Sequence, residues 1–576
     1  MPGSAQLGPT QRANAWERLD SEEFDVLVVG GGVTGAGAAL DAATRGLRVA
    51  LVEARDYASG TSSRSSKLFH GGLRYLEQMN FGLVREALRE RELMLTRIAP
   101  HLVKPVSFLY PLTHRIWERP YAGVGMLLYD TMGMTSVLPR GVPAHRHMTK
   151  RTALAEAPGL KPSALVGAVR YWDAQVDDAR FTLALVRTAA SYGALCASRT
   201  EVSSFVREEG RVVGAVVQDV ETGREHTVRA RTVVNATGVW TDEMQRRAGA
   251  NGSLRVRASK GVHLLVPRSR IAMSSGLILR TEKSVLFVIP WGDEHWIVGT
   301  TDTDWTYSKE HPAVSSGDID YLLEHANTVL ASPLTRDDVL GVYAGLRPLV
   351  SGEAEQTAKL SREHVVARLQ PGLVAIAGGK FTTYRVMAKD VIDVAVHELP
   401  HSIPASSTKE VPLAGADGYR SVVRRKAALA KRYGLSPERV DRLTDRYGTL
   451  ATEVLELIAE DSTLGVPLRG APGHLRAEIV YAATHEGALH LDDVLTRRTH
   501  IFMETKDRGL AAAEEAAPLV AASLGWDRAR VDEEIYRYRR RVEAEQEAGR
   551  QPDDRRADAA RVRAPGFGGP QPARRG

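Results

Sequence analysis

The 576-residue chain contains one cysteine, Cys196, so it can form no internal disulfide, and thiol usage this low points to a reducing compartment. Its seventeen histidines include no His-Glu-x-x-His pair, and Cys196 has no second cysteine with which to hold zinc, so no metal site is expected. No window approaches the roughly 18 uncharged apolar residues that a membrane-crossing helix needs. The segment before Phe24 carries Arg12, Glu17, Arg18, Asp20, Glu22 and Glu23 without an apolar stretch, and no secretory signal is expected there. Charge excess is also small where it matters. Of the net +6, seven arginines against three aspartates between Ala548 and Gly576 supply +4, leaving +2 for everything else. That balance argues against a nucleic-acid partner. A Pro/Gly/Arg-rich end of this kind buries too little apolar surface to fold, so 548–576 is expected to be a disordered tail, with an anionic lipid surface as its one electrostatic partner.

What is present begins at Asp25-Val-Leu-Val-Val-Gly30-Gly-Gly32-Val-Thr-Gly35. A β-branched run enters a glycine cluster, an alanine-rich helical stretch follows, and a second apolar run, Val49 to Val52, ends in Glu53. Gly30 permits the tight turn, Gly32 lets the backbone approach a pyrophosphate, and Gly35 lets helix and strand pack closely. The helix N-terminus offers amides and a positive dipole end to that pyrophosphate, and Glu53 arrives about 20 residues on, where it can accept from ribose hydroxyls. Strand, helix and acid together make this a dinucleotide-binding unit.

With 43% hydrophobic and 25% charged residues over this length, two or more folding units are expected. The periodicities predict helices over Phe81–Ile98 and Val176–Tyr192 and a meander over 200–230. Arg231 to Gly238 reads as a buried strand meeting a second glycine turn. Strand-like runs at Gly261–Val266, Ser284–Ile289 and His295–Gly299 predict an antiparallel substrate-side sheet. A hairpin over 365–377 leads into a helix from about Thr383. After Pro400 the chain is nearly strand-free. The expected division is an N-terminal extension, 1–23; an oxidoreductase domain, 24–400, with cofactor- and substrate-binding parts interleaved; a helical domain, 408–547; and the tail.

Four segments carry chemistry. Ser59-Gly-Thr61-Ser62-Ser63-Arg-Ser-Ser-Lys67-Leu68-Phe-His70-Gly71-Gly72-Leu-Arg74-Tyr75-Leu packs hydroxyls, glycines and cations into a stretch too small-residue-rich for a core helix. Such a loop can wrap a phosphate and bring backbone close to a flat ring. Gly299-Thr-Thr-Asp302, Gly345-Leu-Arg347-Pro348 and Gly378-Gly379-Lys380-Phe-Thr382-Thr-Tyr-Arg385 are three more such places. On residues alone, His263 is compatible with a satisfied core histidine and Arg347 with a surface turn.

Together these segments resemble the FAD-dependent, respiratory glycerol-3-phosphate dehydrogenase family from about Phe24 to Arg385, and the helical C-terminal domain fits as well. The resemblance implies an α/β fold: a glutathione-reductase-like, Rossmann-type FAD-binding domain, an antiparallel-sheet substrate domain and an all-α C-terminal domain. It implies non-covalent FAD held by Gly30, Gly32, Gly35, Glu53, Thr61, Ser62, Ser63, Lys67, Leu68, His70, Gly71, Gly72, Gly238, Gly379 and Thr382. It also implies a substrate site of Arg74, Tyr75, His263, Arg347, Arg362 and Lys380, with His263, Arg347 and Lys380 catalytic. The implied reaction is oxidation of sn-glycerol 3-phosphate to dihydroxyacetone phosphate, with electrons passed from FAD to membrane quinone. Fixed guanidiniums suit a phosphomonoester dianion, and a histidine suits the hydroxyl proton. The implied location is cytoplasmic, peripherally attached to the inner membrane face through Tyr121–Met134 or through basic surface such as Arg424–Lys426 and Arg537–Arg541. An oxygen-using glycerol-3-phosphate oxidase shares the same motifs, a non-catalytic or nucleic-acid-associated flavoprotein is the rival of a different class, and a homodimer is compatible with the sequence without being read from it.

Overall fold

The computed structural model describes residues 6–72, 79–114, 118–134, 141–250, 254–281, 285–350, 363–400, 402–564 and 566. Five parallel strands form the body of the eight-stranded first sheet, in the order Leu373–Gly378, Glu225–Asn235, Glu23–Val29, Val49–Glu53, Leu195–Ser198, with His364–Gln370 antiparallel at the edge beside Leu373–Gly378. Val26 to Val29 are buried, as a parallel strand covered on both faces requires. The helices Val33–Thr44, Asp178–Ser191 and Tyr384–Val396 pack on one face through Ala39, Val186 and Val391. The opposite face is covered in part by the expected meander, Thr200–Glu208 and Arg211–Asp219, which joins the sheet through Glu225–Asn235. The N-terminal extension completes that face. Pro9 opens a helix to Ser21 whose Ala15, Trp16 and Leu19 pack against Leu27 and Val233, and Arg12 pairs with Asp219 at 2.7 Å.

The second sheet is larger than the three strand-like runs suggested. Its centre is Val256–Pro267, which pairs antiparallel with Gly341–Val350 over ten residues and with His295–Gly299 on its other side. Beyond Val285–Trp291, the strand Gly276–Arg280 joins Val103–Leu112 in parallel, so the sheet is mixed rather than purely antiparallel. This sheet and the first enclose the cofactor side between them.

The C-terminal region is helical apart from the short pair Pro467–Leu468 and Ala471–Leu475. A buried charge network fastens it to the nucleotide-binding half. Asp56, three residues past Glu53 at the end of the strand Val49–Glu53, accepts from Arg498 Nη1 and Nη2 at 2.7 Å each and from Arg497 Nε. Arg497 and Arg199 also meet Asp493, at 2.5 and 2.8 Å, and Arg180 meets Glu486 at 2.5 Å. His490 lies between Glu534 and Glu221, 2.9 Å from each.

Two sequence expectations are corrected here. The tail is not disordered throughout: Asp554–Arg561 is a helix capped by Asp553, with Ala557 and Ala560 packed on Val239, Trp305 and Leu346. Composition underrates it because its anchor is distant. Buried Lys260 meets both Asp318, at 2.5 Å, and Asp554. The run Arg537–Arg541 is not a free basic face either. Arg537 pairs with Glu533 and Arg540 with Glu543, at 2.6 Å each, while Arg541 is buried. Arg424 and Arg425 are exposed as expected. The helix Glu118–Met134 is amphipathic: Met126 and Tyr129 are buried, whereas Val124 and Leu127 are 60% and 57% exposed.

Breaking a buried ion pair by removing one partner typically costs about 3–5 kcal/mol, because the other charge is left uncompensated. Asp56→Ala strands Arg498 and weakens Arg497, so a loss of about that size is expected in urea unfolding monitored by circular dichroism. A change below about 1 kcal/mol would show that the junction does not hold the helical domain in place.

Candidate active site

The glycine turn has the geometry its motif demands. Gly30 has φ +113°, and a Cβ there would lie 2.7 Å from Ala236 O; one at Gly35 would lie 1.8 Å from Gly30 O. The helix Val33–Thr44 therefore packs directly onto the turn. Ser62 Oγ accepts from Val33 N at 2.9 Å, tying the Ser59–Gly72 loop to the helix start. Glu53 accepts from Gly31 N at 2.6 Å and Arg55 N at 2.8 Å, and its burial raises its carboxyl pKa.

The hydroxyl-rich loop is pinned from below by Asp178, the first residue of its helix. Asp178 accepts from Ser65 N at 2.9 Å, Ser65 Oγ at 2.7 Å and Lys67 Nζ at 2.5 Å. Lys67 is fully buried, with φ +57°, and its ammonium lies over the rings of Trp291 and Tyr343. The expected cofactor contact from Lys67 is thus replaced by a structural one, because a buried ammonium needs a buried carboxylate. Pinning the loop leaves Ser66 Oγ 2.9 Å from His263 Nε2. Thr61 Oγ1 donates to Leu346 O at 2.6 Å, and His70 N donates to Thr382 Oγ1 at 3.3 Å.

The substrate-side sheet contributes His263 and Arg347. His263 is 2% exposed and stacks on Tyr343 at 4.8 Å with an interplanar angle of 11°. Burial, with the charges of Arg347 and Lys67 added, holds its imidazole well below the usual range, so it is neutral at physiological pH. Its ring fills the space beside Gly299, where a Cβ would fall 2.3 Å from Cδ2. Arg347 lies in a strand rather than a turn. It donates to Thr300 Oγ1 and Thr301 O at 3.1 Å each and passes over Gly261, where a Cβ would lie 2.6 Å from Nη2.

One cavity of about 670 Å³ joins these parts. Of the expected residues, Gly30, Gly32, Glu53, Thr61, Ser62, Leu68, His70, Gly238, His263, Arg347, Gly379, Lys380 and Thr382 line it. Gly35, Ser63, Lys67, Gly71 and Gly72 do not. Gly35 serves packing, Ser63 O accepts from Lys67 Nζ at 3.2 Å, and Gly71 N donates to Tyr129 Oη at 2.9 Å behind the wall. Arg74, Tyr75 and Arg362 lie outside the described residues. The sequence reading missed Ser66 and Asp178. Ser66 is one hydroxyl among several in its loop, and Asp178 follows Asp177, whose side chain already caps the helix by accepting from Arg180 N at 3.1 Å. Among the described residues no group of His, Cys, Asp and Glu could hold a metal.

The cavity suits FAD. A helix N-terminus and glycine turn face one end, Glu53 lies beside them, and a neutral histidine and an arginine face the other. The family model described as FAD dependent oxidoreductase matches residues 25–393, and the one described as C-terminal domain of alpha-glycerophosphate oxidase matches 406–531. Fold and site together define an FAD-dependent oxidoreductase, with FAD as its cofactor. Glycerol-3-phosphate dehydrogenase 2 of Mycobacterium tuberculosis is 58% identical over 562 residues, covering 98% of this chain and 95% of that protein. The mitochondrial glycerol-3-phosphate dehydrogenase of Homo sapiens is 38% identical over 557 residues, covering 92% and 74%. The glycerol-3-phosphate dehydrogenase from Bacillus halodurans, solved with FAD, matches with a TM-score of 0.76 at 29% identity, over 95% of this chain and 99% of that one. The chain belongs to the FAD-dependent glycerol-3-phosphate dehydrogenase family.

A histidine buried neutral binds its proton in the unfolded chain before it does so in the fold. Stability from this group is therefore unaffected above about pH 6.5 and lost as pH falls below it, by up to about 1.4 kcal/mol per pH unit. Urea unfolding between pH 7.5 and 5.5 should give a pH slope for His263→Asn shallower than wild type by up to that amount. Equal slopes would mean that His263 is not held neutral.

Proposed function

We propose that the protein oxidises sn-glycerol 3-phosphate to dihydroxyacetone phosphate and passes the electrons to membrane quinone. The observation that carries the reading is the meeting of neutral His263 and charged Arg347 in the cavity that also contains the dinucleotide turn. FAD, when bound, would accept the hydride that leaves the substrate's C2 and would release the electrons to a quinone. Arg347 supplies a fixed cation for the substrate phosphate, already oriented by Thr300 and Thr301. His263 takes the C2 hydroxyl proton, with Ser66 holding Nε2 and Tyr343 holding the ring plane. Lys380, at the end of the Gly378-Gly379 turn, favours negative charge developing on the substrate oxygen. Family resemblance assigns Arg362 to the substrate phosphate and Arg74 and Tyr75 to the lining of the same pocket.

Removing one member of a charge-assisted pair typically costs about 2–5 kcal/mol. Arg347→Ala should therefore lower kcat/KM for glycerol 3-phosphate by a factor of tens to thousands with unchanged flavin content. Glycerol oxidised by wild type as efficiently as glycerol 3-phosphate would refute the clamp. His263→Asn should slow anaerobic bleaching of the flavin absorbance by glycerol 3-phosphate, with little effect on substrate affinity; a rate within a few-fold of wild type would move the base role elsewhere.

Quinone is dissolved in lipid, and among the described residues no helix is long and apolar enough to cross a membrane. Peripheral docking is the consistent arrangement, and the exposed Val124, Leu127 and Leu128 of Glu118–Met134 are the apolar surface for it. The enzyme should sediment with anionic liposomes and Leu127→Glu should not. Vigorous oxygen uptake without added quinone, together with no sedimentation at low salt, would favour the oxidase reading that the name of the C-terminal family model also brings to mind. FAD is held without a covalent bond in this reading. Acid precipitation should leave the yellow colour in the supernatant, and a coloured pellet would refute it.

A further inference from the structure

The C-terminal helices bring cations to the back of the cofactor loop. Arg64, from Ser59–Gly72, donates to Glu310 O at 3.0 Å and lies 3.3 Å from His311 Nδ1, and neither partner is a carboxylate. Arg561, the last residue of the tail helix, is 4% exposed, and among the described residues its guanidinium has no hydrogen bond or ion pair. Arg541, from the helix Arg528–Ala548, is 6% exposed; it touches Asp492, a carboxylate shared with Arg497, and its Nε has no partner.

These groups act on one another. Burial, then Arg561, Arg541 and Arg64, hold the His311 imidazole well below its ordinary range. Burial and the charges of Arg497 and Arg561 push Arg64 down to about 9, and burial with Arg561 and Arg64 depresses Arg541. Glu545 is the carboxylate that opposes this for all three arginines. A guanidinium does not give up its proton inside a protein, and buried charge is tolerated only when paired. Asp492, shared with Arg497, and Glu545 do not match three guanidiniums, and forked donors suit tetrahedral oxyanions.

We propose that Arg64, Arg541, Arg561 and His311 form a binding site for a phosphate-class oxyanion, separate from the Arg347 clamp. Arg347 donates to Ser259, Thr300 and Thr301, which lie outside this cluster. Arg64 also lines the cofactor cavity, with Gly566 beyond the tail helix, so the oxyanion comes either from solution or from the cofactor's own pyrophosphate.

The test is the melting temperature of FAD-loaded enzyme in sodium phosphate against sodium chloride at equal ionic strength, for wild type, Arg561→Gln and Arg561→Lys. A solution oxyanion is supported if phosphate raises the wild-type midpoint by several degrees above chloride, Arg561→Gln loses that increment and Arg561→Lys keeps part of it. Competitive inhibition by phosphate at the substrate site, measured in parallel, should be unchanged in Arg561→Gln. The cofactor's pyrophosphate is supported as the source if phosphate has no such effect but Arg561→Gln weakens FAD retention tenfold or more in apoenzyme titration. Arg541→Gln repeats both arms if Arg561→Gln does not fold. Equal responses of wild type and variants in both arms would overturn the proposal.

Discussion

The carboxylate of Asp178 is the constraint on which the site depends. It gathers two donors from Ser65 and the ammonium of Lys67, all in the interior. A loop of serines and glycines has little apolar surface of its own with which to hold a shape, and Lys67 in a left-handed conformation would be unfavourable in isolation. One buried ion pair settles both difficulties. It draws the lysine inward, fixes the backbone reversal and leaves the neighbouring Ser66 facing His263 while Ser62 meets the dinucleotide helix. Cofactor loop and His263 are thereby held by the same carboxylate, although Asp178 lines neither the dinucleotide turn nor the cavity.

The site's electrostatics follow from that arrangement. His263 is neutral because it is buried and because Arg347 and Lys67 stand near it, and those cations are stable there because each has its own partners. A protonated imidazole beside a guanidinium would be costly, so the environment that attracts an anionic substrate also keeps the histidine able to accept a proton. Burial, Arg347 and Lys67 together keep the imidazole neutral, so the arginine proposed to clamp the substrate phosphate also helps to keep the proposed base unprotonated.

What could be read from the sequence was local. The glycine turn, its strands and Glu53 lie within 30 residues, and the apolar periods of Phe81–Ile98 and Val176–Tyr192 are properties of single segments; the structure bears out these elements. His263 and Arg347 were ambiguous as residues, compatible with core and turn, and acquired roles through family resemblance alone. What escaped was long-range. Asp178 acts on a loop 113 positions away, and Lys260 holds an aspartate 294 positions away. Composition judged the tail by its own apolar content, whereas its alanines are buried by Val239, Trp305 and Leu346. The arginines at 537–541 read as surface because a sequence does not show which of them face carboxylates.

The strand Val256–Pro267 explains why the tail and the site belong to one design. Successive side chains alternate between faces. Gly261 and His263 line the cavity, and Ser259, buried on the same face, and Gly261 support Arg347. Lys260, Val262 and Leu264 face the other way, Lys260 toward Asp318 and Asp554, the others into the core with Val298 and Leu322. A slip of one residue would exchange the two sets, placing the lysine in the cavity and burying the histidine among aliphatic side chains. The ten-residue ladder with Gly341–Val350 opposes such a slip, and it sets Ser259 opposite Arg347 and His263 opposite Tyr343. Lys260's buried carboxylates add a second barrier, since the ammonium would have to leave both. The clasp on the far face therefore fixes the register that the near face needs, and a tail helix that packs on the cavity's Val239 and Leu346 also contributes, through Lys260, to the placement of His263.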